Sequence, residues 1–170
     1  MRYIIILLAF MLTAPQAFAR PLTPAEYASL NIVIGTYAAD MEQLEFGGVM
    51  KVVPDRIINH YSGIVEMSPE QFRKMMATQT NEIMSHVTIH SFKVSLHSLD
   101  VTEAQNTDET AVIYAVVPYA MLMSLNGKPY NETSTLLALY ETGQWWLVRF
   151  DPTQTEQLIV VYPFLKDVDF

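Results

Sequence analysis

The feature that most constrains this chain is the order of its patterns: every segment with helical spacing comes before every segment with strand alternation. Strands alternating with helices would imply parallel strands and crossovers. Helices first and turn-linked strands afterwards imply an α+β domain built on an antiparallel sheet. The strands dominate the last third. Residues 111–125 are a nearly continuous apolar run rich in β-branched and aromatic side chains, and Asn126-Gly127 is the dipeptide favoured in a two-residue type I′ hairpin. Residues 133–140 then return antiparallel, Glu141-Thr142-Gly143 turns again, and residues 144–150 form the next strand. Pro118 inside the long run has no N–H for a ladder, which predicts an edge position or a bulge.

The first half carries two complete helix-start signals. In Thr23-Pro24-Ala25-Glu26, Thr23 caps, Pro24 fits the first helical position and Glu26 closes a capping box. Ser68-Pro69-Glu70-Gln71 repeats the device. Behind the first, Tyr27, Leu30, Ile34, Tyr37, Met41 and Leu44 recur on one helical face. Gly35 predicts a close backbone crossing, and Gly47-Gly48 the end of the element. A shorter helix is predicted from Pro54 to Gly63, burying Ile57, Ile58 and Tyr61. The Ser68 helix buries Phe72, Met75, Met76 and Ile83. From Thr88 the period becomes two, placing His90, Phe92, Val94 and Leu96 on one face. Residues 103–109 read as a polar surface loop. Residues 158–165 read as an edge strand or as a tail laid across the core.

Residues 1–19 have the build of a signal peptide: a basic start, an apolar run over residues 4–12, Pro15, and Ala17-Phe18-Ala19 before an expected cleavage at Arg20. The apolar run is too short to span a bilayer as a helix, and no second one follows. Residues 20–170 then form one domain, exported to a periplasm or secreted, with no integral span after cleavage. The sequence contains no cysteine. An exported domain of this kind must hold together by packing alone. The net charge of −8, with basic residues scattered, argues against a nucleic-acid partner.

Two or three helices followed by a meander of long strands resembles the NTF2-like superfamily, the cystatin-like α+β cone. The features that carry the resemblance span residues 22–151. They are the capped first helix, the Pro54 and Ser68 helices, the Asn126-Gly127 hairpin, and a closing strand of the form turn, Gly143, Gln144, Trp145 and then apolar residues. The resemblance implies N-terminal helices packed in the concave face of a strongly curved antiparallel sheet, with a cone whose open end often forms a cavity. The superfamily includes acid–base enzymes and many non-catalytic binding or dimerising domains, so the fold leaves the function open. No family catalytic set aligns residue by residue with this chain.

Candidate residues therefore come from their types and positions. His90, on the apolar parity, is a candidate general base or an inert histidine at the sheet margin. Tyr37 and Asp40 are a candidate proton-handling pair at a cone mouth; Asp40 also fits the wet face of an amphipathic helix. Tyr114, Tyr119, Met121, Met123, Tyr140 and Trp146 are candidates for a ligand site or an interface. The long strand is apolar on both faces. One face can pack on the helices; the other needs a homodimer partner, the C-terminal tail or a ligand as cover. No cofactor is implied, and the four histidines lack metal-ligand spacing. The leading expectation is a non-enzymatic domain that binds a protein partner or an apolar small molecule through its sheet face or cavity. The alternative is a small cavity enzyme of isomerase, dehydratase or hydrolase type.

Overall fold

The computed structural model describes residues 19–106, 108, 110–150 and 155–168. Of the expected signal segment, residues 1–19, all but Ala19 lie outside them, and Ala19 pairs with Thr102 in the sheet. Helix α1, Pro24–Glu42, starts as its sequence demands: Thr23 Oγ1 accepts the Glu26 N–H at 3.2 Å, and Glu26 Oε2 accepts the Thr23 N–H at 2.8 Å. Arg20 adds two hydrogen bonds to the same carboxylate, each 2.8 Å long, and a third to Glu103 at 3.0 Å. The start of the domain is thereby tied to both α1 and the sheet. The second capping box, Ser68 with Gln71, opens the fourth helix, α4, Pro69–Ile83.

Between these helices the chain departs from its expected punctuation. Helix α1 ends at Glu42, not at Gly47-Gly48, because Leu44 adopts a left-handed φ of 59° and turns the backbone. The two glycines lie inside a short helix, α2, Phe46–Val49, and Gly48 sits directly under the Asp40 carboxylate. Helix α3, Asp55–Ile64, begins after Pro54 and runs through Gly63 rather than stopping there. Ile57 and Ile58 are buried as expected, whereas Ile83 at the end of α4 is 77% exposed.

Six strands form one antiparallel sheet: β1 Ala19–Pro21, β2 Val87–Val94, β3 Asp100–Gln105, β4 Ala111–Leu125, β5 Lys128–Glu141 and β6 Gln144–Phe150. The spatial order is β1-β3-β4-β5-β6, with β2 also pairing β4. Strands β2 and β3 lie end to end along the same edge of β4: Val94 pairs with Tyr119, and Thr102 pairs with Tyr114. Part of the expected loop, Glu103 to Gln105, is therefore strand. Both tight hairpins have two-residue turns with positive φ, 50° and 78° at Asn126-Gly127 and 54° and 85° at Thr142-Gly143.

Pro118 sits in the central strand, opposite the break between β2 and β3. Its carbonyl accepts the Ser95 N–H at 3.2 Å. A strand residue's N and C=O point to the same side, so the proline nitrogen faces the break and β5 loses nothing. A second irregularity corrects the face of His90. The register steps from Ile89↔Met123 to Ser91↔Leu122, leaving His90 as an extra residue. Ile89 and Phe92 are buried and His90 is exposed, because a bulge reverses the alternation that sequence parity assumes.

The sheet is covered by α1 on one face and, over the β5–β6 part and the first half of β4, by the C-terminal tail on the other. Leu30, Ile34, Tyr37 and Met41 of α1 pack with Val117, Tyr119, Met121 and Leu136. On the opposite face, Val112, Leu137, Leu139 and Trp146 pack with Leu158, Val161, Tyr162 and Leu165. These last four come from α5, Thr155–Val161, and from the Tyr162 junction and 3₁₀ turn, Pro163–Asp167, that follow it. The final apolar segment is thus a helical tail across the core and not an edge strand, since its buried residues follow helical spacing; with β1 ahead of α1, it breaks the helices-first order read from the sequence. Covering helices lie on both faces of the sheet.

Gly35 has no atom within 4 Å of where a Cβ would stand, so no backbone crosses it. Gly35→Ala is expected to raise stability by about 0.5–1 kcal/mol, measured by urea unfolding, because it restores helix propensity at an open site. A destabilised variant would mean that the position is crowded after all. The Glu26 carboxyl is drawn from 4.5 down to about 2, chiefly by the Arg20 hydrogen bonds and then by the Thr23 N–H, against an opposing effect of burial. Its folded-state value lies below its unfolded one. Its contribution is therefore complete above 4.5 and is lost as pH falls from there towards 2. Glu26→Gln should flatten the stability profile in that window; an unchanged acid limb would refute the assignment.

Candidate functional site

Helix α3 stands between two recesses. On one flank, Ile57 and Ile58, with Phe72 and Met76 of α4 and Leu158 of α5, enclose a groove of about 320 Å³ against Val148 of β6. The groove is apolar, and Met50 and Met76 line it with unbranched thioethers that adapt their shape readily. Polar contacts brace its edges. The Tyr61 hydroxyl donates to the Gln157 carbonyl at 3.2 Å, joining α3 to α5. Arg73 donates to the Met50 carbonyl, to the Val53 carbonyl at 3.0 Å and to Asp55 Oδ1 at 2.6 Å, fixing the segment before α3.

The other flank is polar. Asp55, Arg56 and Asn59 of α3 face Glu141 and Thr142 at the β5–β6 turn and Trp146 of β6 across a recess of about 350 Å³. Glu141 is buried at 8% exposure, and its Oε1 accepts the Tyr162 hydroxyl at 2.7 Å. Its Oε2 lies 3.7 Å from Arg56 Nε. Arg56 Nη2 donates to Asp108 Oδ2 at 2.8 Å and to Thr110 Oγ1 at 3.2 Å, while the guanidinium stands 5.9 Å from the centre of the Tyr162 ring. Burial, and then the hydrogen bond to Glu141, push the Tyr162 phenol upward. Tyr162 is thus held as a donor, and the carboxylate braces the C-terminal tail to the end of the sheet. Trp146 Nε1 is buried without an acceptor, and Asn106, the residue that follows β3, has its Nδ2 buried without an acceptor and its Oδ1 buried without a donor.

The residues singled out in the sequence do not meet in one site. Tyr37 is buried under the sheet, its ring edge-on to Phe92 at 5.4 Å, and burial raises its phenol pKa. Asp40 packs over Gly48, and its carbonyl accepts the Glu45 N–H at 2.8 Å. His90 points outward, with Nε2 3.1 Å from Ser124 Oγ. Tyr119 and Met121 are core residues on the α1 face, with Met123 and Tyr140 half-buried beside them. Tyr119 stacks on Phe92 at 4.7 Å and donates to Glu132 Oε1 at 3.0 Å. Tyr114 and Trp146 belong to the opposite face, where Tyr114 lies 5.3 Å from Phe164. Only Trp146 lines either recess.

The grouping of Glu141, Arg56 and Tyr162 is not evident from the sequence. Glu141 reads there as part of a turn, although it shares strand parity with Leu137 and Leu139, which was the available signal. Nothing in the sequence pairs Arg56 or Tyr162 with it. Among the described residues, no three His, Asp or Glu side chains are grouped to hold a metal ion, and no helix is long and apolar enough to cross a membrane.

No family model matches the chain, and no curated protein is significantly similar to it. Among solved structures, the chain is similar to Aln2 from a Streptomyces species, with 13% identity and a TM-score of 0.43 over 83% of this chain and 98% of that one. A likeness that loose transfers no property of Aln2 to this protein.

Tyr162→Phe deprives a buried carboxylate of its donor and is expected to cost about 1.5–3 kcal/mol in urea unfolding, the range for hydrogen bonds to charged groups. Adding Glu141→Leu should recover part of that loss by removing the stranded carboxylate. A Tyr162→Phe variant as stable as the parent would show that the brace contributes nothing.

Proposed function

We propose that this protein is an exported, non-enzymatic binding domain of NTF2-like build, and that it takes a small apolar molecule into the groove between α3, α4 and α5. The groove carries the reading. At about 320 Å³ it falls at the lower end of the range of roughly 300–1,000 Å³ typical of small-molecule sites. Its walls are aliphatic, aromatic and thioether, and the Tyr61 hydroxyl and Gln157 supply a few polar groups nearby. Export rests on the apolar run and the Ala17-Phe18-Ala19 pattern. The NTF2-like assignment rests on element order and on α1 packing against the antiparallel sheet.

Pairing through the sheet face has less support. The C-terminal tail covers the β5–β6 part of the outer face, and what stays open is Pro118, Ala120 and Leu122, interleaved with the polar Asn131 and Thr133 of β5. A stable interface needs about 800 Å² from each partner, far more than these side chains offer. The acid–base alternative finds its best group in Glu141. Both of its oxygens already face Tyr162 or Arg56, which suits a structural brace better than a proton carrier.

Anilinonaphthalene sulfonate should bind the mature chain saturably, with a fluorescence rise. Met76→Trp, which fills the groove, should weaken that binding about tenfold while keeping the urea midpoint. Equal binding by a folded Met76→Trp variant would overturn the proposal.

A further inference from the structure

We propose that the break in the sheet between β2 and β3 is a second binding site, which takes a short extended peptide with a free amino terminus. The site shares no residue with the apolar groove and does not depend on that reading. A recess of about 520 Å³ opens at the break, between Tyr114, Val116 and Pro118 of β4 and, across from them, Ser95, Ser98 and Asp100. Main-chain groups face it without a strand partner. The β2 ladder ends at Val94↔Tyr119 and the β3 ladder at Thr102↔Tyr114. Along β4, successive residues turn their N–H and C=O to opposite neighbours. The two-residue hairpin pairs Leu125 with Lys128, so odd-numbered residues of β4 face β5 and even-numbered ones face β2 and β3. Pro118 follows this rule, since its carbonyl accepts the Ser95 N–H at 3.2 Å. Half-buried Val116 lies between Pro118 and Tyr114, so its N–H and C=O point into the break.

Across the recess, the Thr102↔Tyr114 register would bring Asp100 opposite Val116, but the two strands have parted. Asp100 keeps Pro21 of β1 as its partner and has none on β4. The intervening loop is held out of the gap, because Leu96 and Leu99 pack into the α1-side core on either side of Ser98, at φ 56°. A strand residue without a neighbour offers a donor and an acceptor side by side, and an extended peptide residue complements both with its own C=O and N–H. From Tyr114 to Pro118 the gap runs roughly 13 Å at about 3.3 Å per residue, room for an extended tripeptide. Charge then selects the end that enters. Glu103 is held by Arg20, whereas exposed Asp100 has no ion pair among the described residues. No Lys or Arg lines the recess; His97 and Tyr114 are the other ionisable groups there. A carboxylate without a counter-charge attracts an ammonium group and repels a carboxylate.

Amide NMR of the isotopically labelled protein tests this, with trialanine as the probe. Trialanine should move the Val116 amide resonance saturably, while the Trp145 indole N–H, bonded to Ser29, stays in place and reports an intact core. N-acetyl-trialanine amide keeps the main chain but lacks the ammonium, and should bind about threefold more weakly, the size of an exposed ion pair. Asp100→Asn should weaken trialanine binding by a similar factor. Methylammonium chloride, which has the charge without the main chain, should leave Val116 in place. The proposal fails if trialanine does not move the Val116 amide, or if methylammonium moves it as far. It also fails if the acetylated peptide binds as tightly as trialanine, or if Asp100→Asn binds trialanine like the parent.

Discussion

The fold depends on one long strand that is apolar on both faces. Strand β4 presents Ala115, Val117, Tyr119 and Met121 to one side and Val112, Tyr114 and Val116 to the other. An antiparallel sheet can leave one face wet; β4 is covered on both faces over its first half, while Pro118, Ala120 and Leu122 stay exposed on the outer face. Helix α1 supplies the first cover. The C-terminal tail supplies the second, and its position is fixed by the Tyr162–Glu141 hydrogen bond at the end of the sheet. With no cysteine to staple it, the domain relies on these two burials.

The recesses follow from that arrangement. The tail covers the outer face near β5 and β6, and α3 and α4 approach it from the side. The meeting of three helices with β6 leaves the apolar groove. The first turns of α3 and the β5–β6 turn leave the polar recess on the other flank. One helix thus has two kinds of surface, Ile57 and Ile58 on one side and Asp55, Arg56 and Asn59 on the other. The amphipathic spacing of α3 is enough to separate them.

Features governed by a local rule with one outcome were legible in the sequence, and features chosen by a distant contact were not. Both capping boxes formed, because Thr23 and Ser68 need only residues three positions ahead. The Asn126-Gly127 turn formed because two positive φ values suit those residues. Simple parity puts His90 on the wrong face because one bulged residue reverses it, and no residue type announces a bulge there. Gly47 and Gly48 have the look of a stop, yet they serve a short helix closed over by Asp40. Less of the candidate sites was legible. The aromatic and methionine residues that stand out in the sequence are mostly core, and the charged cluster that does not stand out joins residues from α3, the β5–β6 turn and the C-terminal tail.

By itself, the sequence determined the class of fold: element order, two capped helices and tight hairpins leave little besides helices packed on an antiparallel meander. Each of those signals acts over a few residues, so local chemistry is sufficient. The tertiary structure decided which face each strand residue meets, that the last apolar segment is a helix closing the outer face, and that Glu141, Arg56 and Tyr162 come together. Those outcomes depend on contacts between segments far apart in the chain, where many pairings satisfy the same pattern and only packing selects one.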